Sequence, residues 1–260
     1  MELTPVADLP EIRPGDDIAD LVADRAGDTL AEGDVLTVAS TIVSKAEGRT
    51  ADLDDYPVSG RANELAERIG DLTGEEKDPR FAQAVLEEST ELLIDAPFLL
   101  TETRFGHICV NAGIDRSNVP GHDLLLLPER PSESAARIRD GLEERGYEDV
   151  AVIVTDTCGR PFRHGQRGVA IGWDGLPASR DWRGERDRDG RELGVTVQSV
   201  VDELAAAANL VTGEGAGGTP AVVVSDWAFG DLDGSDELFR SVEDDLIRQA
   251  LRGWEWRADE

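Results

Sequence analysis

The stretch VAVIVTDTCGRPFRHGQRG, residues 150–168, joins a buried-strand pattern to a sharp change of chemistry. The apolar run at 150–154 predicts a buried strand. Asp156 and Thr157 follow this run, and three arginines and a histidine come within the next eleven residues. A carboxylate and a hydroxyl are oxygen ligands for Mg²⁺ or Mn²⁺, and arginines suit a phosphate or carboxylate. The stretch therefore predicts a core strand that ends at a candidate binding site.

The rest of the chain predicts a mixture of helices and strands. Further apolar strands are predicted at 34–38 and 221–224, and two or three short strands at 91–110 with a turn at Phe105-Gly106. Helical spacing covers residues 61–69, 80–88 (with Pro79 in a first turn), 134–145, 195–211 and 235–251. Because no regular strand–helix–strand rhythm is present, the order favours an α+β fold with mixed, largely antiparallel sheets.

Length and composition describe a globular protein. A chain of 260 residues with 40% hydrophobic residues is long enough for one large domain or two small lobes. The sequence has no apolar run long enough to span a membrane and no signal-peptide pattern at residues 1–17. Cys109 and Cys158 are the two cysteines, too few for a disulfide scaffold, so we expect a cytoplasmic protein with reduced thiols.

Net charge is the strongest compositional signal. The chain has 55 acidic and 26 basic residues, a net charge of −29, and only two of the basic residues, Lys45 and Lys77, are lysines. Such charge suits a halophile cytoplasm at multimolar salt, and an ordinary acidic enzyme is the alternative. Either interpretation argues against nucleic acid as a partner, since phosphates need a basic surface. Residues 160–191, with eight arginines and five acids, are a local exception that can attract anions.

The glycine-rich segment TGEGAGGTP, residues 212–220, contains the spacing G-x-G-x-x-G. In a dinucleotide-binding fold this motif follows a strand and opens a helix. Here it follows a predicted helix and precedes a predicted strand, so the Rossmann interpretation fails. Two interpretations stay open, a loop that wraps phosphates with its backbone N–H groups and a plain helix cap with a connector.

Several polar residues near strand ends have both a functional and a structural interpretation. Asp115 and Asp156-Thr157 suit a metal–triphosphate site or turns and caps. Lys45, just past the strand that ends near Ser40-Thr41, suits a phosphate contact or an exposed surface position. The arginines of the 150–168 stretch suit transferred phosphoryl groups and carboxylates or ion pairs with neighbouring acids, and His164 is more often structural. The arginines concerned are Arg160, Arg163 and Arg167.

A series of ordered motifs resembles the coenzyme F420-0:L-glutamate ligase family, the F420-0:gamma-glutamyl ligases of archaeal deazaflavin biosynthesis, in its haloarchaeal type. The resemblance covers essentially the whole chain. The motifs are LPEIRPGDD, DVLTVASTIVSKAEGR, FAQAVLEES, CVNAGIDRSNVPG, VIVTDTCGRPFRHGQRGVAIG, DWRGERDRDGRELGVTVQSVVDELAAAANLVTGEGAGGTPAVVV and SVEDDLIRQAL.

The resemblance implies a set of site residues. Guanine-nucleotide contacts are implied at Leu9, Pro10, Glu11, Ile12, Ser40, Thr41, Lys45, Asn118, Thr212, Gly213, Glu214, Gly215, Ala216, Gly217, Gly218 and Thr219. Asp115 and Asp156 match the ligands of one divalent cation, and Thr157 and Glu214 match those of a second. The assignment of the arginines at 160, 163 and 167 as substrate anchors is an inference from their charge.

The resemblance also implies an activity. The family uses GTP, two divalent cations (Mg²⁺ or Mn²⁺) and K⁺ to join L-glutamate to coenzyme F420-0 through an acyl-phosphate intermediate, giving F420-1 and then gamma-linked F420-2. It implies a homodimer, while the charge and the absence of a long apolar run argue against a nucleic-acid or membrane partner. The expected organisation is a single ligase domain over 1–260, without the nitroreductase-like C-terminal domain of actinobacterial homologues.

Two other functions remain compatible with the residues alone. The first is another metal- and NTP-dependent ligase or kinase that acts on a different small acidic substrate. The second is a non-catalytic nucleotide-binding regulator, which would bind GTP without glutamate-dependent turnover.

Overall fold

A computed structural model describes residues 1–253, and the chain divides into two compact units. The first unit contains Met1–Gly48 and Arg130–Leu238, and the second contains Arg49–Glu129 and residues 239–253. The last seven positions of the predicted 1–260 domain, residues 254–260, lie outside the described residues.

Helices and strands are numbered here in chain order. The helices are α1 (Ile18–Ala26), α2 (Ser40–Ala46), α3 (Gly60–Thr73), α4 (Pro79–Glu87), α5 (Pro131–Glu144), α6 (Val200–Thr212) and α7 (Leu246–Arg252). The strands are β1 (Glu2–Pro5), β2 (Val35–Ala39), β3 (Thr50–Ala51), β4 (Ser89–Ile94), β5 (Leu100–Thr103), β6 (Ile108–Val110), β7 (Leu124–Leu125), β8 (Ala151–Arg160), β9 (Arg163–Asp174), β10 (Ser179–Asp181), β11 (Val197–Ser199), β12 (Ala221–Ser225) and β13 (Gly234–Ser235).

The first unit is built on a five-stranded sheet in the order β1-β12-β2-β8-β9. Only the β2–β8 pair of this sheet is parallel. Two glycines of β9 let helices approach closely, because a Cβ at Gly168 would lie 2.4 Å from the carbonyl oxygen of Ala205 in α6. A Cβ at Gly172 would lie 2.3 Å from Pro131 at the start of α5. The mixture of helices with largely antiparallel sheets confirms the predicted α+β class.

The second unit has its own apolar core. A three-stranded antiparallel sheet, β4-β5-β6, and the short β3–β7 pair accompany helices α3 and α4. Leu65, Phe81 and Val85 from the two helices are buried in this core. The helices predicted at 61–69 and 80–88 are confirmed, and Pro79 occupies the first turn of α4, where its missing N–H has no consequence.

Three predicted segments have different boundaries in the structure. The helix predicted at 195–211 begins only at Val200, because residues 197–199 pair with β10 as a strand. The helix predicted at 235–251 is wrong over its first eleven positions. Asp245 accepts hydrogen bonds from the backbone N–H groups of Ile247 and Arg248 and is the N-cap of α7. The helix therefore begins only at Leu246. The strand predicted at 150–154 continues to Arg160, because hairpin pairing with β9 satisfies its backbone.

Among the described residues, no helix is both long and apolar enough to cross a membrane.

Candidate functional site

Asp156 and Thr157 lie inside β8 rather than at its end, which corrects the sequence prediction. The parallel pairing of β8 with β2, however, stops one residue earlier, at Ala39 opposite Thr155. At that point β2 turns directly into α2, and the buried Ser40 places its hydroxyl 3.4 Å from Oδ1 of Asp156. The carboxylate therefore lies where the parallel pair opens into a strand–helix junction.

A β-bulge precedes Asp156. Val154 is opposite Gly172 but Thr155 is opposite Ala170, so β9 has one extra residue. The backbone N–H of Ala170 donates to Oδ1 of Asp202 in α6, at 3.0 Å. Bulges change the direction of neighbouring side chains and recur beside active sites. Sequence reasoning missed Asp202. The pattern that could have identified it is an acidic residue in the first turn of a predicted helix.

Cys158 belongs to the same strand. Burial is the main cause that raises the pKa of its thiol, and the carboxylate of Asp156 adds to the effect. The thiol therefore stays protonated near neutral pH, which makes it a poor nucleophile and a poor metal ligand.

Helix α2 carries three of the predicted nucleotide contacts. Ser40 and Thr41 begin the helix rather than end the preceding strand, which stops at Ala39, and Lys45 lies in the last turn of α2. The ammonium of Lys45 is 2.7 Å from the carboxylate of Glu11, itself a predicted contact. Ile12 is buried and anchors the irregular segment that contains Leu9, Pro10 and Glu11. Two predicted regions far apart in sequence thus meet in one ion pair.

The glycine-rich loop joins α6 to β12, as its sequence context predicts. Residues 213–218 are all exposed, and a Cβ at Gly213, Gly215 or Gly218 would meet no atom within 4 Å. Glu214 accepts a hydrogen bond at 3.1 Å from the side chain of Asn209. The loop therefore has space for a ligand along its backbone, which fits the phosphate-wrapping interpretation.

The three arginines lie on the β8–β9 hairpin. Arg160 donates to the backbone carbonyl of Gly165 at 3.2 Å, and Arg167 is 3.9 Å from Asp202. Arg163 is exposed at the start of β9, as is His164, which is therefore not a buried structural histidine. Phe162 at the hairpin tip is fully exposed. The hairpin presents cations and an aromatic ring to solvent.

Asp115 and Asn118 belong to the second unit. The backbone of Asp115 exchanges two hydrogen bonds of 2.9 Å with Leu125, which fixes its position. Its carboxylate accepts hydrogen bonds of 2.8 Å from the backbone N–H and hydroxyl of Ser117. Asn118 has a left-handed backbone, with φ of 55°. All other predicted site residues belong to the first unit.

The donors predicted to bind metal are three carboxylates and one hydroxyl, which are the oxygen donors that Mg²⁺ and Mn²⁺ prefer. Within residues 1–253, no three His, Cys, Asp or Glu side chains come together as a ready-made metal site. A cation bound by one or two carboxylates takes its remaining ligands from water and substrate phosphates. The donor types therefore fit a metal that arrives with a nucleotide.

The first unit also contains two cavities of about 370 and 720 Å³. The smaller cavity is lined by residues from 27–32 and by 146–148. The larger one is lined by residues from 28–34, by Glu2 and Thr4 of β1 and by residues 225–228. None of the predicted site residues lines either of these two cavities.

Comparison with known proteins gives consistent matches. The family model described as F420-0:Gamma-glutamyl ligase matches residues 7–226. The chain is 71% identical to the coenzyme F420:L-glutamate ligase of Halorubrum lacusprofundi, over 98% of each chain. It is 49% identical to the ligase of the same name from Archaeoglobus fulgidus, over 97% of this chain and 98% of the relative. The corresponding ligase of Methanosarcina mazei is 42% identical over 96% of each chain. The chain therefore belongs to the F420-0:gamma-glutamyl ligase family.

Proposed function

We propose that the protein uses GTP to ligate L-glutamate to coenzyme F420-0, giving F420-1 and then gamma-linked F420-2. The observation that carries the proposal is the family match over residues 7–226, together with high identity over nearly the whole chain to ligases of that name. The geometry adds support, because the predicted residues of the first unit lie at one strand–helix junction, an adjoining hairpin and an open glycine loop.

The reaction requires an activated carboxylate. A free carboxylate is a poor acylating agent, so we propose that its oxygen attacks the γ-phosphorus of GTP and releases GDP. The amino nitrogen of L-glutamate then attacks the acyl-phosphate carbonyl, loses a proton and displaces inorganic phosphate. The chain must therefore position three anionic substrates and neutralise their charge.

We propose Asp115 and Asp156 as ligands of one divalent cation, and Thr157 and Glu214 as ligands of a second. Asp156 and Thr157 are neighbours in β8, directly after the bulge in its pairing with β9. When bound, such cations offset the charge of the triphosphate and of the transferred phosphoryl group.

The guanine nucleotide is assigned to α2, the glycine loop and the Leu9–Ile12 positions. Lys45 has a side chain only 14% exposed, lies in the last turn of α2 and forms an ion pair with Glu11. A lysine ammonium is a suitable partner for a phosphate oxygen. Asn118 of the second unit is proposed as a further nucleotide contact.

We propose the hairpin arginines as anchors for the carboxylate or phosphodiester of F420-0. Their support is charge: Arg163 is exposed, and among the described residues it has no ion pair with a carboxylate. We further propose a homodimer that uses Mg²⁺ or Mn²⁺ with K⁺ and works at high salt, as the net charge of −29 suggests.

Mass spectrometry of products at high KCl tests the activity. The assay combines F420-0, L-glutamate, GTP and Mn²⁺ or Mg²⁺. We expect adducts of one or two glutamyl residues that require both GTP and metal. Asp156→Asn should reduce turnover by at least about 100-fold, whereas Asp24→Asn, which removes an exposed carboxylate of α1, should leave it unchanged.

The same assay separates the other candidate functions. GTP consumption without a glutamyl adduct would identify another NTP-dependent ligase or kinase. Binding of GTP with no consumption would support the regulator. Full activity of Asp156→Asn would contradict the proposed metal ligand.

A further inference from the structure

Two cations of the second unit flank a single aromatic ring. The Nζ of Lys77 is 5.1 Å from the centroid of the Phe81 ring, and the Cζ of Arg116 is 5.6 Å from the same centroid. Phe81 is buried in the first turn of α4, so the ring is a fixed support. Lys77 is half-buried beside it and Arg116 is exposed. Two positive charges therefore lie close to one buried ring.

No carboxylate of the described residues forms an ion pair with either cation. Lys77 donates its hydrogen bond to the uncharged side-chain oxygen of Asn111, at 3.3 Å. The neighbouring acid Asp78 is held by Arg80, whose guanidinium lies 2.7 Å from it. The carboxylate of Asp115 accepts from its own loop. The charge of Arg116 also helps to lower the pKa of Asp78, but the main cause is the hydrogen bond from Arg80.

This arrangement is unusual for a chain with 55 acidic and 26 basic residues. The pKa of Lys77 is lowered, chiefly because the side chain is partly buried. Repulsion from the positive charge of Arg116 adds to this effect. Lys77 is also one of only two lysines in the chain. Two neighbouring cations that form no close ion pair with a described carboxylate are suited to bind an anionic ligand.

The loop bonded to Lys77 is strained. Asn111, Ala112 and Gly113 have consecutive left-handed φ values of 56°, 55° and 68°. Ala112 has no side-chain reason for this conformation, but its N–H donates to the buried hydroxyl of Thr101 at 2.9 Å. Backbone strain of this kind persists where the surroundings impose it, often at ligand-binding sites. The strained turn leads directly into Asp115 and Arg116.

We propose that Lys77 and Arg116 bind the carboxylates of the incoming L-glutamate, an inference that rests on the proposed function. L-Glutamate has two carboxylates, and both keep their charge while its amino group reacts in the first ligation. The F420-0 carboxylate is a different case, because it is a single group and one of its oxygens must stay free to attack phosphorus. A two-cation subsite therefore matches the amino acid better than the acceptor.

Steady-state kinetics with each substrate varied in turn test the subsite. We expect Lys77→Met and Arg116→Gln each to raise KM for L-glutamate by about 10- to 100-fold, the loss typical of one charge-assisted hydrogen bond. The kcat and the KM values for GTP and F420-0 should change less than twofold. Lys77→Arg should restore most of the affinity. Arg68→Gln, which removes the same charge from α3, should have no effect on KM.

Other kinetic outcomes overturn the proposal. A rise in KM for F420-0 alone would assign the pair to the acceptor carboxylate, and a rise in KM for GTP alone would assign it to a phosphate. Unchanged kinetics in both variants would leave the pair without a role in substrate binding. Circular dichroism of each variant identifies a fold defect, in which case the conservative Lys77→Arg and Arg116→Lys variants decide.

Equilibrium dialysis with radiolabelled L-glutamate separates this inference from the proposed function. If the wild type forms no glutamyl adduct, the proposed ligase activity fails. The subsite then stands only if wild-type protein binds L-glutamate and Lys77→Met with Arg116→Gln weakens that binding. Equal binding by the wild type and the double variant, or none by the wild type, overturns it.

Discussion

Helices α6 and α7 show how similar sequence patterns produce different attachments. Both have apolar residues at helical spacing. Helix α6 buries Val200, Val201, Leu204, Ala205 and Ala208. Helix α7 buries only Arg248, and its Leu246 and Ile247 are 77% and 65% exposed. Apolar periodicity thus predicts a helix but does not identify the interactions that attach the helix to the rest of the fold.

The attachment of α7 is ionic. The guanidinium of Arg248 lies 2.5 Å from Glu91 and 2.6 Å from Glu102, two acids of the β4–β5 hairpin. Arg252 reaches Glu91 as well, at 2.6 Å. Helix α6 instead contacts β9 through apolar side chains and a glycine. We therefore expect α6 to depend on packing, and α7 to depend on charge state and on salt.

The largest expected effect is on α6. Gly168→Val would place a Cβ 2.4 Å from a backbone carbonyl of α6, so the helix must move away from the sheet. We expect the free energy of unfolding to fall by about 3 kcal/mol, measured by chemical denaturation at high salt. Gly159→Ala is the matched control in β8, because its Cβ meets no atom within 4 Å. Equal stability of the two variants would contradict the close packing.

A smaller, local effect is expected at α7. Arg248→Gln removes the Arg248 ion pairs to Glu91 and Glu102, and leaves Glu91 with Arg252 alone. We expect the opening free energy of α7 to fall by about 2 kcal/mol, since the site is partly screened by solvent. Hydrogen exchange of α7 amides measures the change, and α6 amides provide the internal control. Loss of protection in both helices alike would show that α7 is not a separate ionic attachment.

Lowering the pH should release α7 before α6. The hydrogen bond from Arg252 is the main cause that lowers the pKa of Glu91 below its ordinary value of 4.5, and Arg248 adds to it. A lowered pKa in the folded state stabilises the fold above the ordinary value, and this stabilisation is lost as pH falls through the lowered pKa. Hydrogen exchange between pH 6 and 3 should thus show earlier loss of protection in α7. Simultaneous loss would contradict the comparison.

The smallest effect is expected at an exposed pair. Hydrogen bonds from Arg183 lower the pKa of Asp181 to about 2. Arg183→Gln should return this pKa toward 3.8 while the melting temperature stays the same, because exposed ion pairs contribute little to stability. Carboxyl NMR titration and thermal unfolding measure the two quantities. A clear loss of stability would show that exposed pairs also hold this fold.

Prediction from sequence succeeded where one periodic pattern decided the element. The strands at 34–38 and 221–224 and the helices at 61–69 and 80–88 are confirmed because apolar spacing and caps agree. It was wrong where a competing interaction intervened: strand pairing at 197–199, and the Asp245 cap within the predicted last helix. The strand at 150–154 was extended by a hairpin partner that sequence alone does not identify.

The candidate site follows the same division. Local chemistry identified Asp156, Lys45 and the glycine loop as unusual for their positions. The Ser40–Asp156 contact and the Lys45–Glu11 pair join residues 116 and 34 positions apart, so no local pattern reveals them. Lys77 was notable in the sequence as one of only two lysines. Its position near Arg116, however, depends on how the Phe81 ring of α4 packs.

The sequence by itself determined the α+β class and the family, and it supplied the candidate site residues, because composition, periodicity and ordered motifs are local properties. Only the tertiary structure decided that β8 continues past Asp156, that α7 is held by arginines and that two cations share the Phe81 ring. These features depend on contacts between segments distant in sequence, where the free energy of packing and ion pairing overrides local preference.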